Sequence, residues 1–596
     1  MIVVDPDPRA LGVRDPLYIP RRLTVERRTD DSILLHNPTP LTGVFDDAVA
    51  AVGHWAARAP DRVWLAERSG EGWRTVTYAE GQERVRASAG GLATLGLRRG
   101  APLLVLARNS IDHALTAFAA MSLGIPVAAV TPQYGLAGAN LSRLAHAVAL
   151  IEPAAVLVDD PADFTGALES ECLAGLPVIA TRGSRLGAVA LDDLLRALPI
   201  DGTARPDDIA KLLLTSGSTG KPKAVICLHR AVAVTAAQVA ACFADPEPPV
   251  VVNQAPWSHS LGANAILQMI THRGGTLYID AGQPVAGRHH ETVRNLREIA
   301  PTYHNMVPAG WDLLAGELER DTDLARTFFS RVRLLQYGGA ALGQSTCDRI
   351  QAVARAMVGE GISFSSGYGA TETGPTATNV HWPNLTMGLM GLPLPGTTVK
   401  LAPSQGRFEF RVKGPQISAG YYRNPEATAA AFDEEGFYRL GDAARAVDGD
   451  HLEQGLVFDG RLSENFKLSS GTFVNAGALR VAAVSAMGGL ASDAVVCGEG
   501  YGGVGLLIFL NPTSGAGRSP EEIRAAARQG LAAHNARVAG ASGRVDRALI
   551  LEGAADAHSG EITDKGYINQ TLARSRRRDA IARLFADPPG EEVIVL

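Results

Sequence analysis

Between about residues 42 and 440 the chain alternates short apolar runs with helix-length stretches. The runs are PLLVLA (102–107), VAAV (127–130), AAVLVD (154–159), PVIA (177–180), LLL (212–214), PVVVN (249–253), TLYI (276–279) and VRLLQYGG (332–339). Continuous apolar runs of this length, spaced by helix-length segments, are the pattern of buried parallel strands with crossover helices. Residues 111–123 and 231–243 read as helices that cover the sheet faces. After Leu394 the texture changes to alternating strands and turns (TTVKLAP, RFEFRVKG, EQGLVFDG), which predicts an antiparallel β unit, read as a small barrel. Beyond Gly460 the runs SDAVVCGEG, GVGLLIFL and RALIL, with a helix over 520–535, are enough for a compact α+β unit. Residues 1–40 are rich in Pro and charge and are expected to form an irregular lead-in packed on the body. The fold class is therefore α/β: a large body of several subdomains, with parallel sheets, covering helices and a small antiparallel β unit, followed by a smaller α+β unit.

Composition narrows the function classes. The 596 residues carry 56 Lys+Arg against 62 Asp+Glu, a net charge of −6, so no cationic field gathers nucleic acid or an anionic membrane. The most apolar stretch, 114–130, is short and holds Gly124 and Pro126, so it reads as a helix, turn and strand and not a membrane span. The first residues, MIVVDPDPRALGVRDPLYIPRR, break any apolar signal core with Asp and Pro. Five widely separated cysteines with no CxxC pair indicate neither a disulfide framework nor a zinc site. A cytoplasmic monomer or homodimer, with small-molecule partners, no nucleic acid and no membrane, is expected. Lysine occurs only seven times, against 49 arginines, so each lysine calls for a local reason.

The sharpest chemistry lies in LLLTSGSTGKPKAV (212–225). An apolar strand runs into Thr215, Ser216, Gly217, Ser218, Thr219 and Gly220, then Lys221-Pro222-Lys223. Small side chains let backbone N–H groups and hydroxyls converge on an anion, so the composition is that of a phosphate-cradling loop. It is not a Walker A loop, because Pro222 stands where Ser or Thr must follow the lysine. Ser218 and Lys221 also spell SxxK, but the SDN and KTG partners of a serine acylase are missing.

This loop resembles the signature of the adenylate-forming superfamily: acyl-CoA ligases, nonribosomal adenylation domains and luciferases. Further stretches match in order over most of the chain. Tyr368-Gly369-Ala370-Thr371-Glu372 resembles the family's YGxTE element, which implies a phosphate contact for Thr371 and a Mg²⁺ ligand in Glu372. Gly338-Gly339-Ala340-Ala341 resembles the segment against adenine. Asp442, in YRLGD, is implied as the ribose ligand, and Arg461 as a ribose and phosphate contact. Ser463 falls at the hinge, where Asp or Lys is usual, which implies a body over 1–462 and a mobile domain over 463–596. Ala224 stands where glycine is usual. The segment SGEITDKG (559–566) takes the place of the family's C-terminal lysine motif, with Lys565 displaced, and is similar to bacterial feruloyl-CoA synthetases, as are MGLPLPGTTVKLAP and APWSHSLGANAI.

The resemblance implies ATP-dependent activation of a carboxylic acid as acyl-AMP, then transfer to coenzyme A, with ATP, Mg²⁺ and coenzyme A as cofactors or co-substrates. A free carboxylate resists substitution. Its attack on the α-phosphate needs fixed positive partners for the spreading charge, and Lys565, Glu372 with its metal, and the 215–223 loop are the candidates. The acid pocket is expected between Trp257, Ser258 and His259, Gly262, Gly338, and Ser366-Gly367-Tyr368, where flat glycine walls beside aromatic rings suit an aryl or cinnamic acid. His259 is expected to gate the thiol route or touch the carboxylate. Ser258, Ala263 and His304 differ from a feruloyl enzyme. That leaves open an ATP- and nitrite-dependent diazotase of an aminoaryl acid. A catalytically silent nucleotide-binding regulator is a third reading, opposed by Lys565, Glu372 and Lys223.

Overall fold

The computed structural model describes residues 6–596 other than 186, 217–221, 286, 405, 512–516, 539, 541–542, 554, 556–560 and 562–567. Each of the eight apolar runs is a strand. Seven strands form one sheet in the order Ala188–Ala190, Val178–Ala180, Ala155–Val158, Leu103–Leu106, Val127–Ala129, Ile209–Ser216, Pro222–Leu228. Neighbours are parallel except the last pair, a hairpin. A second sheet orders Val250–Asn253, Thr276–Ile279, Val63–Ser69 and Gly72–Thr77, again parallel except for a terminal hairpin. Leu103, Leu104, Val105 and Leu106 are all fully buried, as continuous apolar strands covered on both faces must be. Helix Ile111–Ser122 starts where Ser110 accepts a hydrogen bond from the His113 N–H, and its side chains are buried all round. Helix His229–Ala240 is similarly enclosed.

The third sheet departs from expectation. It has twelve strands, and its parallel members Tyr303–Met306, Leu334–Tyr337 and Gly361–Tyr368 run directly into the antiparallel series. Strand Gly361–Tyr368 makes the junction: Ser363–Ser366 pair in parallel with Leu334–Tyr337, and Gly367–Tyr368 pair antiparallel with Thr378–Asn379. The antiparallel unit is thus an extension of a mixed sheet and not a closed barrel. The lead-in is also more regular than its composition implies. Thr24–Arg27 and Ile33–His36 form the far edge of this sheet, with Ile33–His36 hydrogen-bonded to Thr398–Ser404. Alternating burial of Ile33 and Leu35 anchors that edge, a signal only four residues long.

Residues 466–594 carry two apolar clusters of their own, around Val496, Leu506 and Ile508 and around Leu507, Phe509 and Leu584. Their sheet orders Ala491–Cys497, Gly505–Leu510, Arg547–Ile550 and Val593–Val595. Among the described residues no cluster's buried core mixes residues before 457 with residues after 465.

Candidate active site

Hairpin Ile209–Ser216 and Pro222–Leu228 sets Thr215 opposite Lys223. Residues Gly217, Ser218, Thr219 and Gly220, and the side chain of Ser216, lie outside the described residues. Ala224 is buried in the strand and has no positive φ, so its methyl is accommodated. Residues 418–422 are laced to this strand: Tyr422 N–H donates to the Ala224 carbonyl at 2.8 Å, and Ile226 N–H to the Gly420 carbonyl at 2.9 Å. The Ser418 hydroxyl donates to the Ile226 carbonyl at 2.9 Å. This lacing fixes Tyr421. Its ring centroid lies 4.8 Å from Lys223 Nζ, within cation–π range, and its hydroxyl donates to Glu372 Oε1 at 2.8 Å. The Tyr438 hydroxyl is 3.0 Å from that of Tyr421. Burial, with Glu372 alongside, pushes both phenols up, so they remain protonated and able to donate.

A second cluster joins segments 74 residues apart. The Tyr368 hydroxyl donates to Asp442 Oδ2, and Arg461 Nε lies 3.3 Å from Asp442 Oδ1. Asp442 and Arg461 are direct cross-strand partners, so sheet register alone brings them together. The two clusters meet through the turn Thr371–Thr373. Thr371 Oγ1 is 3.1 Å from Ser260 Oγ, and the Ser418 N–H donates to the Glu372 carbonyl at 2.8 Å. Gly369 makes this packing possible, since a Cβ there would lie 2.2 Å from the Pro375 carbonyl oxygen. Gly338-Gly339-Ala340-Ala341 follow strand Leu334–Tyr337. Gly339 takes φ +84, and Gly339, Ala340 and Ala341 are exposed.

Beside these clusters lies a cavity of about 830 Å³. Ser258, His259, Leu261, Asn305, Met306 and Gly339 are among its walls. His259 Nδ1 accepts the Leu261 N–H at 3.1 Å, which puts the neutral ring's proton on Nε2. Several expected pocket residues are elsewhere. Trp257 is 5% exposed and turns its ring edge-on to His113 in the core, 5.0 Å between centroids. Gly262 is no open wall, because a Cβ would sit 2.5 Å from the carbonyl oxygens of Ala255 and Pro256. Gly338, Ser366 and Gly367 lie off the cavity lining, with the Ser366 hydroxyl donating to the Leu389 carbonyl. His304 packs between Trp311 and Phe328, where burial pushes it down to about 3, and Ala263 is buried in the core. Its neighbours Asn305 and Met306 line the cavity instead. Lys565 and the side chain of Ser463 lie outside the described residues.

Sequence reasoning passed over Tyr421, Tyr438, Ser260 and Lys211. Tyr421 stands in GYYRNPEA with no glycine cluster to mark it. Lys211 carried the one available signal, its rarity. Magnesium requires few protein carboxylates, because substrate phosphates and water fill the rest of its shell. Glu372 is 8% exposed with one oxygen given to Tyr421, and the described residues hold no group of three or more His, Cys, Asp or Glu that could cage a metal. The donor set therefore fits a magnesium ion shared with a nucleotide and not one held by protein alone.

A family model described as AMP-binding enzyme matches residues 52–422. The chain belongs to the AMP-binding enzyme family. Among curated relatives it is 27% identical over 413 residues to 4-coumarate-CoA ligase 3 of Oryza sativa subsp. japonica, covering 64% of this chain and 69% of that protein. It is 28% identical over 421 residues to pyochelin synthase PchD of Pseudomonas aeruginosa, covering 68% and 72%. Its fold matches the adenylation domain of a carboxylate reductase from Mycobacterium chelonae, with TM-score 0.73 and 21% identity over 92% of this chain and 94% of that one. No helix among the described residues is long and apolar enough to cross a membrane.

Proposed function

We propose that this AMP-binding enzyme activates an aryl acid of the cinnamic or ferulic type as its acyl adenylate and then passes the acyl group to coenzyme A. The observation that carries the reading is the unbroken link from cavity wall to nucleotide loop: Ser260 to Thr371, then Glu372 through Tyr421 to Lys223. It aligns a cavity able to take an acid with a carboxylate and an ammonium able to handle triphosphate. Tyr368, Asp442 and Arg461 supply a ribose-binding edge beside it, and the exposed Gly339-Ala340-Ala341 strip leaves room for a flat base. When bound, magnesium would neutralise charge on the phosphates at Glu372. Lys223 offers a compact positive charge that follows phosphoryl oxygens, and Tyr421 holds it against drift. The acid's carboxylate, oriented from the cavity past His259 and Ser258, would attack the α-phosphorus in line and expel pyrophosphate. Lys565 would stabilise the charge that builds on the equatorial oxygens.

Ser463 is the proposed hinge between a body over 1–462 and a domain over 463–596, whose rotation withdraws Lys565 and admits the thiol. The similarity to 4-coumarate-CoA ligases supports an aryl acid and a coenzyme A acceptor. A screen of aryl acids for pyrophosphate release, run with coenzyme A, with nitrite and with neither, tests this. Thioester formation from a cinnamic acid is expected. Nitrite-dependent AMP release with an aminoaryl acid would transfer the reading to a diazotase, and no acid-dependent pyrophosphate release at all would make the chain a regulator.

A further inference from the structure

Lys211 is 5% exposed. Its ammonium donates to the Ala263 carbonyl at 2.9 Å and to Asn264 Oδ1 at 3.0 Å, and no carboxylate pairs with it among the described residues. Loss of hydration pushes its pKa down to about 8. An apolar side chain of similar length would pack there without that penalty, so a lysine in this arginine-rich chain has a local task.

The acceptors identify the task. Both belong to Leu261–Gln268, a π-helical turn, whose extra residue widens the helix; such turns are rare and are frequently found at functional sites. The leading end of this turn forms the cavity wall: Ser258, His259 and Leu261 line the cavity, while Ser260 meets Thr371. Lys211 stands on strand Ile209–Ser216, which also places Leu214 in the cavity wall and ends at the nucleotide loop. One buried ammonium therefore spans the wall that would hold the acid and the strand that carries the nucleotide loop.

We propose that Lys211 is a positioning residue that clamps the wide turn 261–268 to the nucleotide-loop strand and so sets where the acid lies relative to ATP. The inference rests on the reading of this cavity as the acid site. Lys211 touches neither substrate. Removing its donors lets the cavity wall shift while the links of Lys223, Glu372 and Asp442 stay in place, so the effect falls on the acid and spares the nucleotide.

The test compares wild type with Lys211→Met, Lys211→Arg, Asn264→Ala and the Lys211→Met/Asn264→Ala pair. Acid KM and kcat come from pyrophosphate release, and nucleotide affinity from calorimetry without acid. Lys211→Met is expected to raise acid KM roughly tenfold or more, with nucleotide Kd changed by less than about twofold, since small misplacements of a reacting group are costly. Asn264→Ala gives a smaller rise, the pair is no worse than Lys211→Met alone, and Lys211→Arg recovers part of the loss. An unchanged acid KM with only a lower melting midpoint overturns the clamp, as does an equal loss of nucleotide affinity. Should Lys211→Met fail to fold, an unchanged acid KM in Asn264→Ala overturns it. A wild-type chain that releases pyrophosphate with no acid removes the functional reading and the clamp together, whereas a normal wild type beside unaffected variants removes the clamp alone.

Discussion

The proposed nucleotide side and the proposed acid side of the site are built by opposite means. Around Glu372 and Asp442 the protein commits its polar atoms to one another in advance: Tyr421 on Glu372, Tyr368 and Arg461 on Asp442. Around the cavity it provides about 830 Å³ of space, bounded largely by small and apolar residues, with several amides, His259 and Arg143 among the polar ones. Fixed, preorganised polar atoms suit a ligand of constant structure, whereas a roomy cavity selects its ligand largely by shape. The two sides touch at Ser260 and Thr371, so most substitutions are expected to harm one side and spare the other.

Lys565→Ala should fall hardest on the shared chemistry. Acyl-adenylate formation, followed by pyrophosphate exchange, is expected to drop about a hundredfold or more while ATP still binds. A near-normal rate would detach Lys565 from the reaction. Asp442→Ala strikes the nucleotide side only. Losing hydrogen bonds to a charged acceptor should raise the KM for ATP about tenfold with acid KM unmoved, and a matching rise in acid KM would dissolve the division between the sides. Tyr421→Phe is gentler, because the ring stays over Lys223 and only the hydroxyl leaves Glu372. A fall in kcat of about threefold to tenfold is expected, with magnesium-free nucleotide affinity intact, and Tyr421→Leu should add a loss of that affinity.

The smallest effect concerns the strut between the sides. Lys211 falls to about 8 in the folded chain from an ordinary value of 10.5, so its burial penalty is complete below about pH 8 and is relieved as pH rises toward the unfolded value. Wild type should therefore gain stability relative to Lys211→Met between about pH 7 and about pH 10, a change of about 1–3 °C in melting midpoint. The neighbours that feel its charge keep theirs over most of that range: burial pushes Cys227 up to about 11 and His113 down to about 4, and holds His229 below its ordinary value. A gap constant with pH would mean that Lys211 is not desolvated.

Much of the scaffold was legible because parallel strands buried on both faces must be apolar throughout, and that leaves an unambiguous run in the sequence. All eight runs became strands, and the one holding Leu214 pairs antiparallel with Pro222–Leu228. Short elements escaped notice. Ile33–His36 looks like loop until Thr398–Ser404 supplies its partner, and the antiparallel strands look like a separate barrel until Gly361–Tyr368 joins them to the parallel set. Residue type alone misjudged the cavity. Trp257 and His304 suit a binding site chemically, but ring packing against His113 and against Trp311 and Phe328 turns both into the core.

The sequence by itself determined the α/β class and the order of the motifs, because these depend on local pattern, and the resemblance of those motifs to the family nominates Glu372, Asp442, Arg461 and Lys223 for the proposed site. Only the tertiary structure decided that Asp442 faces Arg461, that Tyr421 couples Lys223 to Glu372, and that Lys211 donates to two groups of a π-turn. Such pairings depend on register and packing between segments up to a few hundred residues apart, and local periodicity records whether a residue is buried but not what it is buried against.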